Sequence, residues 1–231
     1  SGGKMVWMYK WDAGEALTII EREKIGAVGG VPAIAWQLLE HPDRDKYDLS
    51  SITAISYGGA PSAPELVSTI KKRFPDAAPG NGWGMTETCA TSTLNIGEDY
   101  VNRPNSAGAP PPAIELKICD PDGKALAQGA VGELWCKGPS NCKRYWNRPE
   151  ATADTYRDGG FVTGDLARPG EEGFLYLVDG ATYTLIRGGE NIYCSAVERA
   201  LHDHSAVMYE GVAGLNHTIL GEERGRGLPY R

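Results

Sequence analysis

Ile52-Thr53-Ala54-Ile55-Ser56-Tyr57-Gly58-Gly59, followed by Ser62 and Pro64 and closed by Pro75, is the stretch that decides the fold. The apolar run reads as a strand ending at two glycines. Ser62 and Pro64 open a helix, because proline suits a first helical turn, and Pro75 ends it. A short extended segment then leads into Gly82. Upstream, Met5-Val6-Trp7-Met8-Tyr9 reads as a strand. Asp12 caps a helix running to about Lys24, with Ala16, Leu17 and Ile20 on one face, and a second helix follows Pro32 and stops before Pro42. Alternating strands and helices specify an α/β fold with a parallel sheet covered by helices. Ligands of such sheets bind at loops beyond the carboxyl ends of the strands. Gly58-Gly59 and Gly82-Trp83-Gly84 fall in loops of that kind.

The run Gly82-Trp83-Gly84-Met85-Thr86-Glu87-Thr88 carries the clearest chemistry. Glycine lets a backbone approach a ligand closely, because no Cβ intervenes. The Trp83 indole can stack on a planar base. Thr86 can donate to a phosphate oxygen, and Glu87 can hold a hard divalent cation. The loop reads as a site for a nucleotide and its metal. Alternatively, it is a glycine turn around one buried tryptophan. A second acidic position stands in Gly159-Gly160-Phe161-Val162-Thr163-Gly164-Asp165, with the carboxylate expected just past a strand. There it can accept from both hydroxyls of a ribose.

Of 231 residues, 41% are hydrophobic and 23% charged, so a core can form. The net charge of −7 argues against nucleic acid, which needs clustered Lys and Arg. Lys71-Lys72-Arg73 is the nearest basic run and falls at a helix end, where it complements the dipole. No apolar run is long enough to span a bilayer, and Ser1 to Trp7 do not form a signal peptide. Cys89, Cys119, Cys136, Cys142 and Cys194 fit no zinc or disulfide framework and read as reduced thiols in a cytoplasmic protein. His202-Asp203-His204 sits at a helix end, where histidine caps better than it binds metal.

Beyond about Pro112 the pattern changes. Strands are expected at Ile114 to Ile118, Gly132 to Lys137, Phe161 to Thr163 and Phe174 to Val178, with a turn at Pro121-Asp122-Gly123 and a short helix from Pro149. Asn102 to Pro112 is the connector. Gly180 to Tyr183 reads as a joint, and Ser195 with Glu198 as a capping box. Val207 to Leu215 reads as one more strand, before a polar, glycine-rich end too short to close a core of its own. The domains expected are therefore 1–112, an α/β nucleotide-binding lobe; 113–179, a β-rich lobe; and 180–231, a truncated small α+β domain after a hinge.

The Gly-Gly-Ala-Pro loop, Gly82 to Thr88, Gly132-Glu133-Leu134-Trp135, Tyr145-Trp146-Asn147-Arg148-Pro149-Glu150-Ala151-Thr152, Thr163-Gly164-Asp165 and Arg187-Gly188-Gly189-Glu190-Asn191-Ile192 follow one another in that order. The series resembles the adenylate-forming superfamily, and within it the fatty-acid and other acyl-CoA ligases. The resemblance covers essentially the whole chain and places 1–112 in part of a large N-terminal domain. It implies an AMP-forming ligase in two steps: a carboxylate attacks the α-phosphate of MgATP, and the coenzyme A thiol then displaces AMP. It further implies that Gly58, Gly59 and Ala60 line the adenine and acyl pockets, with Gly82 and Gly84 flanking Trp83 on the adenine. Thr86 contacts phosphate, Glu87 binds Mg²⁺, and Asp165 holds the ribose. Gly188, Gly189 and Glu190 meet the pantetheine channel, while Arg187 and Asn191 fix that loop. Tyr145 to Thr152 and Gly132 to Trp135 are structural in this reading.

The chain departs from the superfamily in three places. The Ser/Thr/Gly-rich phosphate loop and the late C-terminal lysine do not occur, which suggests an internal fragment. After Val178-Asp179 the superfamily's arginine is Gly180, and the hinge position is Thr182. An arginine fork supplies several directed donors that glycine cannot replace. The expectation is that this chain alone forms no acyl-adenylate at a useful rate. The alternatives are an adenylation domain loading a carrier protein and a non-catalytic nucleotide-binding relic. The acid, its chain length and the oligomeric state are not legible.

Overall fold

A computed structural model of the chain describes residues 3–59, 62–180, 184–187, 190–202, 211–217 and 221–227. Its contacts form two compact units, Ser1–Met85 with Thr93–Gly108, and Thr86–Ser92 with Ala109–Arg231.

The first unit contains α1 (Ala13–Glu23), β1 (Ala27–Gly30), α2 (Pro32–Leu39), β2 (Ala54–Gly58), α3 (Pro64–Arg73), β3 (Ala78–Trp83), β4 (Thr93–Ile96) and α4 (Glu98–Asn102). The strand order is β1-β2-β3-β4. The first three strands run parallel, as expected, and β4 adds an antiparallel edge. Asp12 caps α1, its carboxylate accepting from the Glu15 amide at 2.8 Å. Lys24 ends the helix in the left-handed region, at φ 49°. Leu17, Ile20, Leu39, Ile55, Leu66 and Ile70 anchor the core between helices and sheet. On the opposite face β2 and β3 present only small residues: Ala54, Ser56 and Gly58 lie in register with Ala78, Gly80 and Gly82.

One local reading changes here, and two strands were not read from the sequence. Met5 to Tyr9 is not a strand. Its residues are largely exposed, Trp7 at 82%, and pair with no strand among the described residues. Strand propensity is a preference for a pleated, half-buried surface, and this segment lacks one. By contrast β1, Ala-Val-Gly-Gly, is a strand without a strand-like sequence, formed by its parallel ladder to β2. In β4 the polar residues face inward: Thr93 and Asn95 are buried, while Leu94 and Ile96 are about half exposed. Thr93 Oγ1 donates to the Ala107 carbonyl at 2.6 Å, and Asn95 Nδ2 donates to the carbonyls of Arg103 and Ser106. The buried polar pair thus holds the segment after α4 against the sheet.

Tyr57, just before Gly58, shares a 2.9 Å hydroxyl–hydroxyl hydrogen bond with Tyr100 of α4, and the rings meet edge to face. Burial pushes both phenols above their usual range. The folded pair stays neutral where the unfolded chain ionises, so its contribution is complete below about pH 10 and is lost as the pH rises further. Denaturant midpoints should therefore fall above pH 10. Tyr100→Phe should flatten that fall and cost about 1 kcal/mol at pH 8 by depriving the Tyr57 hydroxyl of a partner.

The second unit contains β5 (Glu115–Cys119), β6 (Gly132–Lys137), α5 (Pro149–Thr155), β7 (Tyr156–Arg157), β8 (Gly160–Pro169) and β9 (Leu175–Gly180). It continues with β10 (Thr184–Arg187), β11 (Glu190–Tyr193), α6 (Cys194–His202), β12 (Gly211–His217) and β13 (Gly221–Gly227). One antiparallel sheet has the order β5-β6-β8-β7, with β9 also on β8, and a second has the order β11-β10-β13-β12. The strands expected between Ile114 and Val178 are present, as is the helix from Pro149; of the strand expected at Val207 to Leu215, residues 207–210 lie outside the described residues. The polar end is not a tail: β13 pairs along β12 and at Arg187 of β10. Cys194 and Val212 are buried there, with Val197 and Leu201 packed against them. The Ser195 side chain of the expected capping box lies outside the described residues. α6 begins at Cys194, one residue before Ser195, and the Glu198 carboxylate accepts from the Val212 amide at 2.9 Å. That bond ties the helix to β12.

Candidate functional site

In the first unit the glycine loops meet at the carboxyl ends of β2 and β3. Gly58 and Gly82 are register partners, and a Cβ built at Gly58 would lie 2.6 Å from the Gly82 carbonyl oxygen. The missing side chain of Gly58 therefore makes room for the neighbouring strand. Gly59 takes φ 73° with open space around its Cβ position, so its requirement is conformational. Trp83 ends β3 opposite Thr93 and is 8% exposed, and Gly84 follows it. Ala60 lies outside the described residues.

In the second unit Thr86 to Thr88 form a single 3-10 turn. Thr86 is exposed, Glu87 half-buried and Thr88 fully buried. The Cys89 amide donates to the Thr86 carbonyl at 3.1 Å, and Thr88 Oγ1 donates to the Ala90 carbonyl at 3.2 Å. Cys89 and Ala90 both take positive φ, 54° and 85°, a conformation that side chains resist. Such strain persists where surrounding contacts over-determine the backbone. Those contacts come from far along the chain. The Cys142 amide donates to the Glu87 carbonyl at 2.7 Å, and Tyr145 Oη donates to Glu87 Oε1 at 2.8 Å. Partial burial, reinforced by the Glu87 carboxylate, pushes the Tyr145 phenol up to about 12.

Tyr145 was expected to be structural, and its contact with Glu87 is what sequence reasoning missed. Its only sequence signal was membership of the same motif series. Tyr156, whose buried hydroxyl meets no partner among the described residues, packs edge to face on Tyr145.

Asp165 was expected just past a strand, but it lies inside β8, which runs on to Pro169. The β6–β8 register jumps from Glu133↔Leu166 to Trp135↔Val162, so Leu134 faces a bulge holding Thr163, Gly164 and Asp165. Gly164 takes φ 75° there. Thr163 Oγ1 fills the irregularity, donating to the Leu134 carbonyl at 2.8 Å and accepting from the Asp165 amide at 3.0 Å. Bulges re-aim side chains, and this one sets the direction of Asp165.

Glu190 opens β11, paired with Arg187 of β10. Its side chain, Gly188 and Gly189, the hinge position Thr182, and Asp203 with His204 lie outside the described residues. The five cysteines carry no disulfide. No helix among the described residues is long and apolar enough to cross a membrane, and no group of three or more His, Cys, Asp or Glu forms a metal cage there.

The AMP-binding enzyme family matches residues 1–146, the span that includes both glycine loops and the Glu87 turn. The chain belongs to this family. A long-chain-fatty-acid–CoA ligase of Bacillus subtilis is 37% identical over 227 residues, covering 96% of this chain and 39% of the ligase. Among solved structures, the amide bond synthetase McbA of Marinactinospora thermotolerans superposes with a TM-score of 0.90 at 32% identity, over 96% of this chain and 45% of that one. The O-succinylbenzoate coenzyme A synthetase of Bacillus subtilis, solved with ATP and magnesium, gives 0.84 at 32% identity, over 95% and 44%. The chain thus spans about two fifths of the length of curated relatives, 39% for the Bacillus subtilis ligase. The mostly parallel sheet of the first unit and the two antiparallel sheets of the second are the frames on which its loops are carried.

Proposed function

We propose that the chain is the nucleotide-handling part of an ATP-dependent acid–thiol ligase. It activates a carboxylic acid of the fatty-acid class as the acyl-adenylate and passes the acyl group to coenzyme A. The observation that carries this reading is the Thr86–Glu87 turn, strained and held by Cys142 and Tyr145, within the span matched by the AMP-binding family. Names of relatives support the acid and the thiol acceptor. Trp83 and Gly82 serve the adenine, Asp165 the ribose, and Thr86 a phosphate oxygen. Gly188, Gly189 and Glu190 serve coenzyme A. Segments 1–112, 113–179 and 180–231 are read as nucleotide lobe, β-rich lobe and small domain, working in the cytoplasm.

Glu87 suits Mg²⁺. It offers one carboxylate, with one oxygen engaged by a neutral phenol and no cage of further acids among the described residues. Mg²⁺ is held by one or two carboxylates together with phosphate oxygens and water. Bound there, it would neutralise phosphate charge. The protein's own contribution is positioning and preorganised charge, which act without reorganisation during reaction.

AMP should bind this chain at millimolar concentration or tighter, as titration calorimetry will read. Asp165→Asn and Trp83→Ala should each weaken it about tenfold, in keeping with loss of a charge-assisted hydrogen bond or a ring contact. No heat with millimolar AMP would defeat the nucleotide assignment. A second reading follows from the likeness to an amide bond synthetase: an amine, not a thiol, accepts the acyl group. Supplying the full-length protein with coenzyme A or with an amine, and identifying the acyl product, separates the two.

A further inference from the structure

The geometry points to Tyr145 as the positioning residue for the cation-binding carboxylate. This rests on the reading of Glu87 as the metal ligand. Tyr145 Oη donates to Oε1 of Glu87 at 2.8 Å across 58 positions of chain. A carboxylate has lone pairs to spare on both oxygens. One donor on Oε1 fixes the rotamer and leaves Oε2 for a cation.

The chemical identity of the donor matters. A lysine or arginine here would orient Glu87 but also cancel its charge, whereas a phenol orients it and leaves the whole negative charge for a divalent ion. A phenol, whose ordinary pKa is about 10, is a neutral donor at physiological pH.

Tyr145 is itself held from two sides. Its backbone amide donates to Thr152 Oγ1 at 3.1 Å, and that hydroxyl donates to the Arg148 carbonyl at 2.7 Å at the start of α5. Its ring meets Tyr156 at 5.8 Å and 70° between planes. Tyr156 in turn packs on Phe161 at 5.3 Å, and Phe161 is 2% exposed on β8. The phenol is therefore seated on the second unit's core before any ion arrives. A simple latch for the turn exists separately in the Cys142 amide bond to the Glu87 carbonyl. The phenol adds orientation of the carboxylate, the task performed by outer partners around metal ligands.

The test measures ATP affinity of this chain by calorimetry, with EDTA and with Mn²⁺ as the probe ion, for wild type, Tyr145→Phe and Glu87→Gln. The readout is the factor by which Mn²⁺ strengthens ATP binding. Tyr145→Phe should reduce that factor about tenfold, the lower end for loss of an outer-shell partner. Its metal-free ATP affinity and thermal midpoint should stay at the wild-type values. Glu87→Gln should abolish the factor. If Tyr145→Phe keeps the factor within twofold while Glu87→Gln loses it, the proposal fails and the Glu87 assignment stands. If Glu87→Gln keeps it, or wild type shows none, the Glu87 assignment fails and the proposal falls with it. Weaker metal-free binding in Tyr145→Phe makes the phenol a structural latch and also overturns the proposal.

Discussion

Gly108→Ala is expected to be the most damaging single-methyl change in the first unit. A Cβ at Gly108 would lie 2.1 Å from both the carbonyl carbon and oxygen of Leu94, and 2.5 Å from the Asn95 nitrogen. All three are backbone atoms of β4, so no rotamer change relieves the clash. The glycine also takes φ 97°, which side chains resist. Nor can the segment move away cheaply. Thr93 Oγ1 grips the Ala107 carbonyl, Asn95 Nδ2 grips those of Arg103 and Ser106, and the Gly108 amide donates to Ser106 Oγ. Overpacking plus backbone strain should cost on the order of 3 kcal/mol or more, lowering the thermal midpoint by about 10 °C. Gly97→Ala is the matched control. It takes φ 62° with nothing within 4 Å of its Cβ position, so it carries the strain without the collision. Equal losses in the two variants would refute the close seating of Gly108 on β4.

Gly58→Ala should combine a stability loss with a binding loss. The added methyl would meet the Gly82 carbonyl oxygen at 2.6 Å, again a backbone atom. β2 and β3 must then part at their carboxyl ends, at a cost of about 2–3 kcal/mol. Parting them moves Gly59 and Trp83, and small misplacements in a binding constellation lower its effectiveness steeply. AMP affinity in folded Gly58→Ala should fall at least as far as in Trp83→Ala. Gly59→Ala meets open space and should cost only about 1 kcal/mol for its left-handed backbone. Calorimetry on both variants, at a temperature where each is folded, distinguishes a strand-packing glycine from a merely conformational one.

The readable parts of the fold are those whose sequence carries its own local physics. α1 announces itself through the Asp12 cap and the spacing of Ala16, Leu17 and Ile20, and α3 through the prolines at its start and just after its end. What was not legible depends on partners. β1 and β13 are glycine-rich and owe their extended form to ladders with other strands. β4 misleads, because its buried face is polar for the sake of carbonyls met only after the chain returns from α4. Met5 to Tyr9 shows the converse, apolar and aromatic yet unpaired among the described residues. The candidate site divides in the same way. Residue types and order name Trp83, Thr86, Glu87 and Asp165. The bulge at Gly164 and the phenol on Glu87 come from strand register and from a contact 58 positions distant, which neither periodicity nor propensity encodes.

The short segment Thr86–Ser92 interrupts the first unit in sequence but belongs by its contacts to the second. On a translating ribosome, β3 leaves the exit tunnel long before Cys142 and Tyr145 do. At roughly 5–20 residues per second, the acidic turn waits several seconds for the residues that fasten it. Glu87 thus reaches its final geometry well after its own strand has emerged, and nascent chains halted before Cys142 would carry it on a slack loop.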